Sequence, residues 1–201
     1  MSLTEDILHF WFEDLDLTRE REKRQIWFKS TPEFDQAIHD NFTAAYADAA
    51  AGNLDDMKET REGCLALILI LDQFSRNLFR NSPKAFAADA KAREFARHAL
   101  DQGYDQDVDG FVKTFFYLPF EHSEELADQE LSVKLFSPIG SEDTSKAAQG
   151  HYDAIAQFGR FPHRNQVMGR ENTPEEEEYL KTPPSWGKTA AEMEEIEKTK
   201  G

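Results

Sequence analysis

The chain is poor in cysteine, in long apolar runs and in basic residues, and each shortage excludes a class of protein. One cysteine among 201 residues cannot form an internal disulfide, and its position at the start of an apolar run predicts a buried thiol. That run, Cys64 to Leu71, is the longest, and its eight residues are far fewer than the ~18 of a membrane span. Acidic rather than basic residues lie near the N-terminus, so no signal peptide is indicated and a cytoplasmic location is expected.

The charge balance limits the partners. Lysine and arginine total 23 against 39 aspartates and glutamates, which gives a formal charge of −16. Binding to nucleic acid or to an anionic membrane requires an excess of basic residues, so neither partner is expected. Any site for an anion must therefore be local.

Several strong motifs are also missing. The sequence contains no HExxH, no paired CxxC, no P-loop and no GxGxxG. We therefore predict no metal and no cofactor from motifs, and the site residues must be found by other patterns.

Hydrophobic residues recur at helical spacing along almost the whole chain, which predicts an all-α protein of about eight or nine helices. Pro after a Ser or Thr cap and Gly after the last turn mark many of the ends. The predicted helices cover about 32–51, 55–80, 83–102, 111–118, the segment after Ser123, 148–158 and 174–180, with two short helices in the first thirty residues. Pro119 should end or kink its helix. We predict one domain over 1–182 and a polar tail over 183–201, in which Trp186 could dock.

Two stretches without a single acid stand out in this acidic chain. The first, Gln73 to Ala88, holds Arg76 and Arg80, and the second, Ala154 to Arg170, holds three arginines and His163. On a helix, Asp72, Arg76 and Arg80 share one face, with Gln73 and Asn77 beside it. The second stretch predicts a loop that buried Phe and Pro hold in place, so that its donors point in fixed directions.

A polar triplet, Glu121-His122-Ser123, follows a very hydrophobic helix end between these two stretches. Arginine forks bind carboxylate or phosphate, and histidine can move a proton. We therefore predict His122 and His163 as catalytic residues. The predicted ligand-binding residues are Asp72, Gln73, Arg76, Asn77, Arg80, Glu121, Ser123, Arg160, Arg164, Asn165 and Arg170.

Each of these residues also has a purely structural interpretation. Asp72 and Arg76 could form an ordinary intrahelical pair, and Ser123 is more typical of a helix cap than of a nucleophile. His122 could satisfy a helix end, and His151 is expected in the core or behind the site. The acidic run 175–178 is typical of a favourable first helical turn.

The combination of these segments resembles a bacterial family of uncharacterised proteins, a domain of unknown function. The matching segments are 8–12, 71–80, 116–124, 158–165, 169–170 and 173–176, and the resemblance spans about residues 5 to 182. It implies an all-α fold similar to the antiparallel helical hairpins of tetratricopeptide proteins. It implies no activity.

Three functions from different classes remain open. The favoured one is a pocket for a small anionic ligand that bears a phosphate or carboxylate, with hydrolysis as a further step. The second is a helical interaction module that binds an acidic peptide without catalysis. The third is a metal site built from Asp72, Glu121, His122 and His163, although their scattered spacing gives it little support. The sequence does not determine the oligomeric state.

Overall fold

The computed structural model describes residues 1–139, 142–182 and Pro184, and these residues contain helices and no strand. The all-α prediction is therefore confirmed. Apart from Pro184, the expectations for the tail over 183–201, including the docking of Trp186, lie outside the described residues.

Ten α-helical segments run along the described chain. They are α1 (Leu3–Phe12), α2 (Pro32–Ala51), α3 (Arg61–Ile68), α4 (Ser75–Leu78), α5 (Asp89–Gln102), α6 (Gly110–Glu121), α7 (Leu126–Phe136), α8 (Glu142–Phe158), α9 (Asn165–Met168) and α10 (Pro174–Leu180). A π-helical segment, Leu69–Phe74, joins α3 to α4 without interruption. These three segments form one continuous rod, so the described residues hold nine helical rods, in agreement with the predicted number.

Caps explain where several helices begin and end. Thr31 accepts a hydrogen bond from the Phe34 amide at the start of α2, and Gly52 closes that helix with φ at 89°. Thr173 and Glu176 form a reciprocal capping box at the start of α10. These local signals are readable in the sequence, which is why the predicted ends agree with the structure at these places.

Two predicted helices are shorter than expected because 3₁₀ turns replace their first residues. Asp55–Glu59 is a 3₁₀ helix, and Thr60 then caps α3 by accepting a hydrogen bond from Gly63 N at 3.1 Å. Pro83–Phe86 is likewise 3₁₀ and precedes α5. Such turns satisfy backbone groups near helix ends with the same capping residues, so sequence periodicity does not distinguish them from α-helix.

Two further helix ends also differ from expectation. Pro119 lies inside α6, which continues to Glu121 and so brings the polar triplet to the helix end. Helix α7 begins only at Leu126. The Glu125 amide donates a hydrogen bond to the Ser123 hydroxyl at 3.1 Å, and the backbone of Glu125 is extended.

The continuous rod lies at the centre of the fold, and every residue of Cys64 to Leu71 is buried. Helices α2 and α5 pack against it, and α6, α7 and α8 follow as successive neighbours. Aromatic rings fill the space between α1, the rod and α6. The ring centre of Trp11 lies 5.5 Å from the ring centres of both Phe74 and Phe115. No helix in the described ranges is both long and apolar enough to cross a membrane.

The environment of Cys64 yields a testable prediction. Its side chain is 0% exposed, its Sγ donates to the Phe95 carbonyl at 3.4 Å, and burial raises the pKa of the thiol to about 12. Because the thiolate is the reactive species, we expect no labelling by a thiol reagent in the native protein and one label per chain after denaturation. Labelling of the native protein within minutes would contradict this environment.

Candidate functional site

A cavity of about 690 Å³ opens between α6, α8 and the end of the central rod. Its lining includes six cationic side chains, Lys23, Lys29, Arg76, Arg80, Lys146 and Arg164, and the carboxylates among the described lining residues are Glu121 and Asp143. The charged side chains that line the cavity are therefore mostly cationic, although the chain as a whole is strongly acidic.

The π-helical segment places a carboxylate beneath the cavity. The Asp72 side chain lies in this segment and is 0% exposed. Its carboxylate accepts a hydrogen bond from Gln73 Nε2 at 2.6 Å and lies 2.9 Å from His122 Nδ1. Arg76 Nη1 lies 3.3 Å from the same carboxylate. A π-helical turn in a helix is often found at a functional site, because the extra residue changes the direction of neighbouring side chains.

The protonation of Asp72 and His122 follows from these contacts. Burial alone would raise the pKa of Asp72, but the charge of Arg76 and the contacts with His122 outweigh it and lower that pKa. Burial is also the main reason why the pKa of His122 is lowered, against the opposing charge of Asp72. The neutral ring donates from Nδ1 to the carboxylate, which leaves Nε2 as the basic nitrogen.

A second carboxylate, that of Asp89, lies between Arg76 and Arg164 but pairs closely with Arg76 only. Asp89 accepts hydrogen bonds from Arg76 Nη1 and Nη2, both at 3.1 Å. Arg164 Nη1 lies 3.9 Å from the same carboxylate, which is the limit of an ion pair. Arg76 is thus well compensated by Asp72 and Asp89, whereas Arg164 is not.

Arg164 is buried in aromatic surroundings. Its guanidinium carbon lies 4.5 Å from the ring centres of Phe86 and Phe161, and the residue is only 8% exposed. Its Nε is buried and has no hydrogen-bond partner among the described residues. Burial, followed by repulsion from Arg76, lowers the pKa of Arg164 to about 10.

Glu121 is the second unusual carboxylate of the cavity. It is 5% exposed, and His151 Nδ1 lies 3.4 Å from its Oε1 and 2.8 Å from the Ala147 carbonyl oxygen. Burial and the negative charge of Asp72 raise the pKa of Glu121 to about 8. Burial also lowers the pKa of His151 well below its usual range. At neutral pH, Glu121 therefore carries a proton.

The opposite rim is held by a separate polar network. The Asp35 carboxylate accepts hydrogen bonds from Arg80 Nε at 2.7 Å, from Arg80 Nη2 at 3.0 Å and from Asn77 Nδ2 at 2.7 Å. These bonds fix Arg80 and Asn77 at the cavity edge and neutralise the charge of Arg80.

The remaining donors of the second acid-free stretch lie outside the cavity lining. Arg160 forms a two-pronged pair with Glu176 at 2.6 and 2.7 Å, and Asn165 Nδ2 donates to the same carboxylate at 3.2 Å. Arg170 pairs with Glu124 at 2.8 and 2.9 Å. These contacts hold the loop that carries His163 and Arg164.

The structure thus separates the predicted site residues into two groups. The cavity lining brings together Gln73, Arg76, Asn77, Arg80, Glu121, His122, His163 and Arg164, with Asp72 directly behind His122. Arg160, Asn165 and Arg170 form the supporting contacts just described. Ser123 lies outside the cavity lining; its buried hydroxyl donates to Asp128 at 2.7 Å and accepts the Glu125 amide at 3.1 Å, so it holds the turn that precedes α7.

Sequence reasoning missed several residues of the lining and its support, namely Lys23, Trp27, Phe28, Lys29, Phe86, Asp89 and Lys146. One signal was available: Asp89 is the acid that ends the first acid-free stretch, just as Asp72 precedes it. Both acids pair with Arg76. The lysines lie in charged segments that carry no comparable signal.

Within the described ranges, no group of three or more His, Cys, Asp or Glu side chains is arranged to hold a metal ion. The four residues considered for a metal do not form such a group.

These features define an all-α protein with a cavity that is lined mostly by cationic side chains and that contains buried ionisable groups. The chain belongs to the bacterial family of proteins of unknown function DUF924, whose model matches residues 7–184. A solved structure of a protein of unknown function from Agrobacterium tumefaciens is similar to it, with 42% sequence identity and a TM-score of 0.81. That match covers 89% of this chain and 96% of the other. No curated protein matches the sequence significantly.

The protonation of Glu121 gives a prediction about pH. Its pKa is raised from 4.5 to about 8, so the folded protein binds more protons than the unfolded chain between these values. The resulting stabilisation is present at low pH and is lost as the pH rises through about 8. Glu121→Gln keeps a neutral side chain, so its free energy of unfolding should fall less between pH 5 and 8, by on the order of a few kcal/mol.

Urea unfolding of both proteins at several pH values measures this difference. Glu175→Gln, which changes an exposed glutamate, serves as the control and should keep the wild-type slope. Identical slopes for wild type and Glu121→Gln would show that Glu121 is ionised in the folded protein.

Proposed function

We propose that the cavity binds a small organic anion bearing a carboxylate or phosphate, and that His122 and Glu121 transfer protons during its hydrolysis. The observation that carries this proposal is the incomplete compensation of Arg164. This guanidinium is buried, its Nε is unpartnered among the described residues, and its nearest carboxylate is 3.9 Å away.

A buried cation is costly unless an opposite charge compensates it. Asp89 accepts hydrogen bonds from Arg76 on both of its oxygens and lies 3.9 Å from Arg164 Nη1, so it compensates Arg76 more closely than Arg164. A bound anion between the two arginines would supply the missing charge and accept hydrogen bonds from the planar fork of Arg164. Binding should therefore stabilise the folded protein.

The His122–Asp72 pair has the features of a general base. Asp72 holds Nδ1 and so favours the tautomer in which Nε2 accepts a proton. The lowered pKa of His122 keeps the ring neutral at pH 7, which is the state that a base requires. The pair has the arrangement by which a carboxylate orients a catalytic histidine in hydrolases, but no serine nucleophile is part of it.

Glu121 supplies the complementary acid. In the proposed step, Nε2 of His122 takes a proton from water, and the water oxygen attacks the ester carbon or phosphorus of the bound anion. The bond to the leaving oxygen breaks, and that oxygen takes the proton of Glu121. Two carboxyls with opposite pKa shifts, Asp72 lowered and Glu121 raised, suit these separate roles.

A thermal shift experiment tests the binding half of the proposal. Phosphate and small carboxylates should raise the Tm by several degrees at concentrations far above Kd, because they bind the folded state only. Arg164→Gln should abolish this increase. Arg160→Gln should lower the Tm equally with and without anion and leave the increase intact, because Arg160 pairs with Glu176 outside the cavity.

The alternatives correspond to other outcomes of the same experiment. Stabilisation by an acidic peptide but by no small anion would favour the interaction module. A shift with a divalent metal alone, removed by His122→Ala, would favour a metal site. Arg19→Gln changes an exposed arginine and should resemble wild type throughout.

A hydrolysis assay tests the catalytic half. Aryl phosphates and aryl carboxylic esters that carry an anionic group are the substrates to screen. His122→Gln and Glu121→Gln should each lower kcat by about 10²–10⁴-fold with little change in the thermal shift, since each removes one proton transfer. Anion binding without turnover of any substrate would reduce the proposal to a binding protein.

A further inference from the structure

The floor of the cavity is long. Thr114 and Leu118 of α6 lie on the same face as Glu121, and this row spans seven residues, or about 10 Å at 1.5 Å per residue. Thr144 and Ala147 of α8 form a second row that leads to His151. The two rows meet at the contact between Glu121 and His151, where His151 Nδ1 lies 3.4 Å from the Glu121 carboxyl group. From this contact, both rows run away from the end of the cavity that holds His122 and Arg164.

The far end of the floor is aromatic. Trp27 packs 6.1 Å from Phe111 and 5.1 Å from Phe115, which places it beside the start of the α6 row. Phe28 follows Trp27, lines the cavity, and is 39% exposed. Lys23 lies 4.7 Å above the Phe28 ring and adds positive charge at the same mouth.

The volume exceeds what an inorganic anion requires. A phosphate fills only a small part of about 690 Å³, and cavities of this size are typical of organic ligands whose apolar part contributes most of the contact. An inorganic ion bound at Arg164 would leave the aromatic end open to water.

We infer that the ligand is an amphiphilic anion, with its carboxylate or phosphate head between Arg164 and Arg76 and an aromatic body that extends along Leu118 to Phe28. This inference rests on the proposed anion binding and specifies the class of ligand. The head satisfies the uncompensated arginine, and the body covers the exposed ring of Phe28.

A series of non-hydrolysable phosphonates separates the contribution of the anionic head to the affinity from that of the aromatic body. Calorimetry at constant ionic strength should give an affinity that rises from methylphosphonate to phenylphosphonate to naphthylphosphonate, by at least about tenfold over the series. Acetate, benzoate and naphthoate test the same order for a carboxylate head. The neutral naphthalenemethanol should bind far more weakly than naphthylphosphonate, because it lacks the head.

Two variants assign the ends of the ligand. Phe28→Ser should weaken naphthylphosphonate several-fold and leave methylphosphonate within about twofold, whereas Arg164→Gln should weaken both. Leu126→Ser removes an apolar side chain of similar exposure on α7 and is the matched control, with no expected effect.

The outcomes distinguish this inference from the function on which it rests. Equal affinities across the phosphonates, or no effect of Phe28→Ser, would overturn the aromatic body and leave anion binding intact. If none of the phosphonates or carboxylates binds, the proposed anion site fails, and this inference fails with it.

Discussion

The buried carboxylate of Asp72 is the interaction on which the rest of the site depends. Its charge is stabilised inside the protein by Arg76, His122 and Gln73, and removing one partner of such a buried ion pair costs about 3–5 kcal/mol. The same charge orients the His122 ring, and after burial, the larger cause, it raises the pKa of Glu121. One carboxylate thus contributes to the protonation state of both neighbouring groups.

The π-helical segment explains how a core helix can supply this group. The rod from α3 to α4 is buried from Gly63 to Ser75, and the π-helical segment lies inside this buried part. The extra residue in the π turn lets Asp72 and Gln73 turn toward His122 while Leu71 and Phe74 remain in the core. The apolar side chains of the rod therefore pack the core, and the π-helical segment is where the rod carries polar groups next to the cavity.

The sequence predicted the helical class and much of the cavity, because both depend on local patterns. Periodicity and caps are set within a few residues, and an acid-free stretch marks a place where arginines serve a common region. Sequence could not separate Arg164 from Arg160 and Arg170, since their partners Glu176 and Glu124 lie 16 and 46 residues away. Nor could it reveal the π turn, whose residues have an ordinary helical composition. Long-range pairing and backbone irregularity are properties of the packed chain.

The net charge of −16 and the cationic lining of the cavity act over different distances, so an acidic protein is compatible with the proposed anionic ligand. At physiological ionic strength, charges farther apart than about 8 Å are largely screened, so most surface carboxylates contribute little inside the cavity. Arg164 and Arg76 act at contact distance in a site of low polarity, where screening is weak. Lys23 and Lys29 line the cavity on an exposed segment, and they offset the negative surface that an approaching anion meets first. Entry of the proposed anion should therefore depend on these lysines, and its retention on Arg164.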